Sequence, residues 1–250
     1  MSYKNLSKNE ALLLNEIDGS DLTVFSFQEI RTLTDWNTAK VNNLLQSLLK
    51  KNIVEKIKRD SYVLVEDIKE RSYKVATELI KPSYISHWSA LSYYGFTDQQ
   101  VNTIQLITTK QMRDIDHKSI RIETTTFKSD RFYGYKKNGF SIGEKEKVIL
   151  DSLYMMDRVG GFEEFVKCMV NAWDELHEER FVNYLLNFGN KSMVSRAGYL
   201  IDKLDLPFDR FAELQGGISK SYVKLVPGRG KENRYNKEWK VIVNGEVPNP

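Results

Sequence analysis

The order of elements in the first seventy residues constrains this chain more than any other feature. Ser7-Lys8-Asn9-Glu10 is a capping box, in which the Ser hydroxyl accepts from the backbone N–H three residues on and the Glu side chain reaches back. Ala11, Leu12, Leu13, Leu14 and Ile17 follow, a helix that runs out near Gly19. A second box, Ser26-Phe27-Gln28-Glu29, opens a short helix through about Thr32. Thr34-Asp35 then reads as the N-cap of a longer helix to about Lys51, where Val41, Leu44, Leu45, Leu48 and Leu49 recur at helical spacing and form one buried stripe. Residues 53–57 and 61–65 read as short strands flanking the polar turn Lys58-Arg59-Asp60.

Helices followed by a basic-tipped hairpin, in this order, are the pattern of a winged helix-turn-helix, so a DNA-reading domain is expected over residues 1–70. Charge distribution agrees. Residues 1–30 carry two Lys against five acids, whereas residues 31–59 carry seven Lys/Arg against two, a local balance of +5 in a chain whose net charge is only +3. Such asymmetry fits a phosphate-docking face, though a solvated basic face would look the same. Opposite the buried stripe of the long helix stand Trp36, Asn37, Lys40, Asn43 and Ser47. Asn bonds adenine bidentately, Lys serves a guanine or a phosphate, and Thr38 is placed to touch backbone. Trp36 either reaches the groove or packs inward as a lid. Lys56, Lys58 and Arg59 would sit on the wing, near a phosphate or the minor groove. The candidate DNA-binding set is therefore Trp36, Asn37, Thr38, Lys40, Asn43, Lys56, Lys58 and Arg59.

Residues 71–250 are expected to form a mixed α/β C-terminal domain, giving an α+β protein with a small sheet and a helical bundle portion. A charged helix over residues 66–81 ends at Pro82. Strands are expected at residues 101–108, 119–126 and 131–136, and a helix from Glu144 through Met156, on which Glu144, Glu146 and Asp151 read as dipole complements and solvent-facing charge. Helical stripes fill residues 162–203. Residues 144–213 hold nine basic and fourteen acidic groups, a balance of −5, so this region is unsuited to phosphates. The tail over residues 219–240 returns to +5, with strands expected at residues 222–226 and 239–243.

Catalytic chemistry leaves little trace. His87, His117 and His177 lack paired metal-ligand spacing, Gly228-Arg229-Gly230 is no phosphate loop, and Cys168 lies on an apolar helix as an inert thiol. No enzyme, metal or cofactor is expected. The single cysteine, the absence of an apolar leader and the lack of any run of about eighteen apolar residues fit a cytoplasmic protein without a membrane span.

The stretch Pro82-Ser83-Tyr84-Ile85-Ser86-His87-Trp88-Ser89-Ala90-Leu91-Ser92-Tyr93-Tyr94-Gly95-Phe96-Thr97 resembles the AbiEi antitoxin family. Thr103-Ile104-Gln105-Leu106-Ile107-Thr108, Phe132-Tyr133-Gly134-Tyr135 and Glu144-Lys145-Glu146-Lys147-Val148-Ile149-Leu150-Asp151 are similar to later segments of that family, with Val148 where the family has Ala. The resemblance spans roughly residues 5–205. It implies a transcriptional regulator of viral defence in a type IV toxin–antitoxin, or abortive-infection, system. Such a protein represses its own operon by binding inverted repeats in promoter DNA. It also counteracts a nucleotidyltransferase-like toxin through its C-terminal domain, with no stable complex required. No heptad pattern points to a coiled-coil dimer, so a monomer that pairs on DNA is expected. The alternative is a protein-interaction or enzymatic module that uses the winged domain as scaffold.

Overall fold

The computed structural model describes residues 5–248 except 231 and 233. Both capping boxes form. Ser7 and Glu10 exchange bonds at the start of α1 (Lys8–Gly19), and after β1 (Val24–Phe25) Ser26 and Glu29 do the same at the start of α2 (Phe27–Thr34). The long helix starts later than the sequence suggested. Thr34 is still inside α2, donating its hydroxyl to the Ile30 carbonyl at 2.8 Å, and Asp35 terminates that helix at φ 51°. The cap of α3 (Thr38–Lys50) is Asn37, whose side-chain oxygen accepts from the Lys40 N–H at 2.9 Å. Two competing cap residues three positions apart misplace the start, because either satisfies the orphan N–H groups of a helix terminus.

β2 (Val54–Lys58) and β3 (Ser61–Leu64) make a tight hairpin with its turn at Arg59-Asp60, and β1 pairs antiparallel with β3, so the sheet runs β1-β3-β2. Leu13, Leu14, Ile17, Phe25, Ile30, Val41, Leu45, Leu48, Val54 and Leu64 fill the space between this sheet and the helices before it. Ile57 and Val63 instead join the larger core of the body. The small sheet is thus apolar on both faces, and its second face is covered by the rest of the chain.

The helix expected over residues 66–81 is broken. α4 (Val65–Glu70) and α5 (Ser72–Leu79) meet at Arg71, which has left helical geometry at φ −128° and ψ 33°. Next come β4 (Ser83–Ile85), α6 (His87–Tyr93), β5 (Ile104–Thr108), β6 (Ile115–His117), β7 (Ile120–Thr126), β8 (Tyr135–Asn138) and β9 (Phe140–Gly143). These strands form one mixed sheet in the order β6-β7-β5-β4-β9-β8. It is wider than the sequence suggested, since β4, β6 and β9 have 3, 3 and 4 residues and are too short to show a two-residue period. The strand expected at residues 131–136 is a 3-10 turn, Ser129–Arg131, followed by β8, with Gly134 at φ 68° between them. Gly134 also needs its missing side chain: a Cβ there would lie 2.8 Å from the Tyr184 ring.

α7 (Lys145–Tyr154) closes against α6 and the sheet, and α8 (Phe162–Ala172), α9 (Glu178–Asn187), α10 (Lys191–Lys203) and α11 (Phe211–Gly217) build the helical layer. A last sheet, β10 (Val223–Lys224), β11 (Tyr235–Asn236) and β12 (Val241–Ile242), in the order β10-β12-β11, rests on α10. The protein is therefore mixed α+β with several sheets.

Candidate nucleic-acid interface

A helix turns about 100° per residue, so the buried stripe of α3 fixes which side chains can meet a ligand. Val41, Leu45 and Leu48 are buried, and Thr38, Ala39, Asn42, Asn43, Gln46 and Lys50 are exposed. Asn43 and Thr38 are placed as expected. Asn37 is exposed, but its carboxamide oxygen caps the helix, so the donor–acceptor pair needed for bidentate reading of adenine is already half used.

Trp36 and Lys40 are not free. The indole is half-buried against the small core, as a lid, and the Lys40 ammonium lies 3.6 Å from its ring centroid, a cation–π contact that folds the lysine back on the protein. Ser47 faces α1 and donates to Glu10 Oε1 at 2.7 Å. Lys51 Nζ meets the same carboxylate at 2.7 Å, and that bond, with the Ser7 N–H second, holds the Glu10 pKa at about 2. The flank holding Lys40 and Ser47 is thus bound to neighbouring parts of the small unit. Asn42 and Gln46, each one residue before an expected position (Asn43 and Ser47), belong to the open face instead.

Of the three hairpin cations, Lys56 and Arg59 face solvent, with Lys56 Nζ 5.6 Å from the Tyr62 ring. Lys58 is turned inward. Its ammonium donates to the Leu79 carbonyl at 2.5 Å, and burial lowers its pKa. Asp60 Oδ1 accepts from the Phe27 N–H at 3.0 Å and ties the hairpin turn to the start of α2. Further ties fasten the small unit to the body: Lys74 to Asp21 at 2.7 Å, the Val24 N–H to Glu78 at 3.1 Å, and Lys118 to Glu55 at 3.1 Å. What remains open is an amide-rich stripe on α3, with Lys56 and Arg59 on the hairpin.

The body holds charge of another kind. Glu146 and Asp151, expected to face solvent, are 1% and 0% exposed. Glu146 accepts from the His177 N–H at 2.8 Å and has Arg180 at 3.5 Å. Asp151 accepts from Tyr84 Oη at 3.0 Å and Ser86 Oγ at 2.9 Å, and pairs with Lys147 one turn before it. The Lys147 ammonium also bonds Tyr84 Oη at 2.9 Å, and the ring centroids of Tyr84, Phe127, Tyr133 and Phe188 surround it at 5.2–5.4 Å. Burial pushes the Asp151 carboxyl up and the Lys147 ammonium down, and each is opposed by its partner's charge. With both side chains sealed from solvent, the pair pins α7 to β4. His87 is equally enclosed. Neither ring nitrogen has a partner among the described residues, and burial holds its pKa at about 3. Cys168 is buried too, its thiol pushed up to about 11.

Among the described residues no three His, Cys, Asp or Glu side chains converge as metal ligands, and no helix is long and apolar enough to cross a membrane. No family model and no curated protein matches the chain. Its fold is similar to that of the RV2827C protein from Mycobacterium tuberculosis, known from a crystal structure. The two superpose with a TM-score of 0.66 over 96% of this chain and 92% of that one, at 11% identity. At that identity the likeness is one of architecture: the whole order of small unit, wide mixed sheet and helical layer is a shared fold.

Proposed function

We propose that this chain is a DNA-binding transcriptional autorepressor whose first seventy residues act as a winged helix-turn-helix. The observation that carries the reading is the open face of α3, where Thr38, Asn42, Asn43 and Gln46 point to solvent without a protein partner for their side chains among the described residues. Asn and Gln present a donor and an acceptor side by side, the pairing that reads adenine in the major groove, and Arg59 at the hairpin turn adds a phosphate contact. A single helix covers only a few base pairs, so inverted repeats would recruit two copies, each a monomer in solution. The resemblance to AbiEi antitoxins supplies the other half of the proposal: the autorepressor is also the antitoxin to a nucleotidyltransferase-like toxin of the same operon, and acts in the cytoplasm.

Titration of the full chain against duplex DNA from upstream of its own reading frame tests the DNA half. Affinity should fall steeply with salt, and an Asn42→Ala/Asn43→Ala/Gln46→Ala variant should lose discrimination between operator and scrambled duplex by about 1–3 kcal/mol per good contact removed. Equal binding of both duplexes by the wild type, or an unaltered preference in the variant, rejects this face as the reader. Co-expression with the neighbouring gene tests the antitoxin half, with rescue of growth as the readout.

A further inference from the structure

We propose that the sheet β10-β12-β11 is a second nucleic-acid site, one that takes unpaired bases of a single strand. Charge singles out the region first. Residues 219–240 carry seven Lys/Arg against two Glu, next to a helical region whose balance is −5. Part of this charge is neutralised, by Arg229 with Glu163 and Arg234 with Glu232. Lys203, Lys220, Lys237 and Lys240 make no ion pair among the described residues. The surplus remains positive with Glu246 beside the cleft counted, and unpaired basic residues are what a phosphate chain requires.

Aromatic exposure then selects the ligand. Tyr222 and Tyr235 are 39% and 52% exposed, their rings meet edge to face with centroids 5.3 Å apart, and Lys240 Nζ lies 5.3 Å from the Tyr222 ring. Tyr235 borders a cleft of about 530 Å³ whose walls include Tyr199, Lys203, Arg234, Asn236 and one carboxylate, Glu246. That is the size range of a site for one small ligand such as a nucleotide. In a duplex the faces of the bases are stacked on each other, whereas a single strand offers them to protein rings. Two accessible phenol rings among lysines, beside a cleft, match the single strand.

The platform is also held rigidly. Trp239, at the foot of β12, is 1% exposed and lies flat on Gly198, where a Cβ would come within 2.0 Å of the indole. Asn244 ties the Val226 N–H and carbonyl and the Gly230 carbonyl, each at 2.9 Å, and Arg196 Nε donates to the Lys224 carbonyl at 2.8 Å. A sheet anchored in this way loses little freedom when a ligand binds.

The experiment is fluorescence anisotropy of the full chain with labelled oligouridylate and oligodeoxyuridylate of about twelve nucleotides, which differ only in the 2′-hydroxyls. A blunt duplex and an oligoglutamate serve as competitors. Both single strands should bind, and a preference for the uridylate would mark RNA, through its 2′-hydroxyls, as the source. Tyr222→Ala/Tyr235→Ala should weaken binding between about fivefold and a hundredfold, as stacking losses do. Tyr222→Phe/Tyr235→Phe should keep it, because the ring faces remain. The α3 triple variant should also keep it, which separates this site from the operator reader. A wild-type affinity in the double-alanine variant with an unchanged melting curve overturns the proposal. So does an affinity that the duplex or the oligoglutamate competes away as well as a single strand does, for that is a patch of bare charge.

Discussion

At the small N-terminal core the ion pair is only half enclosed: the Glu10 carboxylate is buried, while Lys51, which with Ser47 joins it to the end of α3, is still a third exposed. In the body, Lys147 and Asp151 lie inside, with no solvent access and four aromatic rings around the ammonium. The two arrangements use the same chemistry at different depth. In the first, water still solvates the lysine, so that partner is dispensable in part. Inside, the protein must supply every partner itself, so neither charge can be removed alone. Polar groups that are open and unpartnered, such as those on the outer face of α3, fall into neither class, and for that reason they are the candidates for binding.

The largest expected effect breaks the inner pair. Lys147→Met leaves the buried Asp151 carboxylate without its counter-charge and should cost about 3–5 kcal/mol in urea unfolding. Lys147→Met/Asp151→Leu should recover much of that loss. Lys51→Met, at the rim, should cost about 1–2 kcal/mol. Equal costs for the two single variants would end the distinction between depth and rim.

Acid should separate the regions next. Unfolded His87 takes a proton near its ordinary pKa of 6.5 and folded His87 only near 3, so its contribution is present above pH 6.5 and lost as the pH falls toward 3. Glu10, lowered from 4.5 to about 2, contributes above pH 4.5 and loses that contribution as the pH falls toward 2. Stability measured against pH should therefore decline first through the body, with a slope of up to about 1.4 kcal/mol per pH unit from this group. His87→Phe, which removes no hydrogen bond, should reduce the slope between pH 6.5 and 4.5 and leave the lower limb intact. A slope unchanged by that substitution would show that His87 is not the group responsible.

The smallest effects lie within one helix. Gln46→Ala should change stability by no more than about 0.5 kcal/mol while weakening operator binding. Ser47→Ala, its neighbour in sequence, should lower stability by about 1 kcal/mol and leave operator binding as it was. If the two variants exchange these roles, the open face of α3 has been drawn on the wrong side.

That last pair also shows where the sequence could be read and where it stopped. Capping boxes and leucine spacing are local, so α1, α2 and the inner stripe of α3 were legible. The stripe leaves two flanks, however, and only the position of α1 decides which is covered. Spacing alone therefore points to Lys40 and Ser47 where Asn42 and Gln46 stand free, and nothing local indicates that the Leu79 carbonyl claims Lys58. Lys147 and Asp151, four apart on a helix, look like any solvent-facing ion pair. The rings that enclose the lysine come from residues 84, 127, 133 and 188, and nothing local brings those together.

The ties of Lys58, Lys74, Glu78 and Glu55 across the junction have a geometric consequence once two copies stand on one operator. A reading unit on a loose tether would let its body drift, and the spacing of half-sites would matter little to it. On the proposed function, a unit fastened as it is here would carry the body round the double helix, and each base pair added between half-sites would turn one body by about 35° around the axis relative to the other. Affinity plotted against spacer length would then act as a protractor. A periodic curve of about ten base pairs would mean that the bodies meet, and a flat one that each copy sits on its half-site alone.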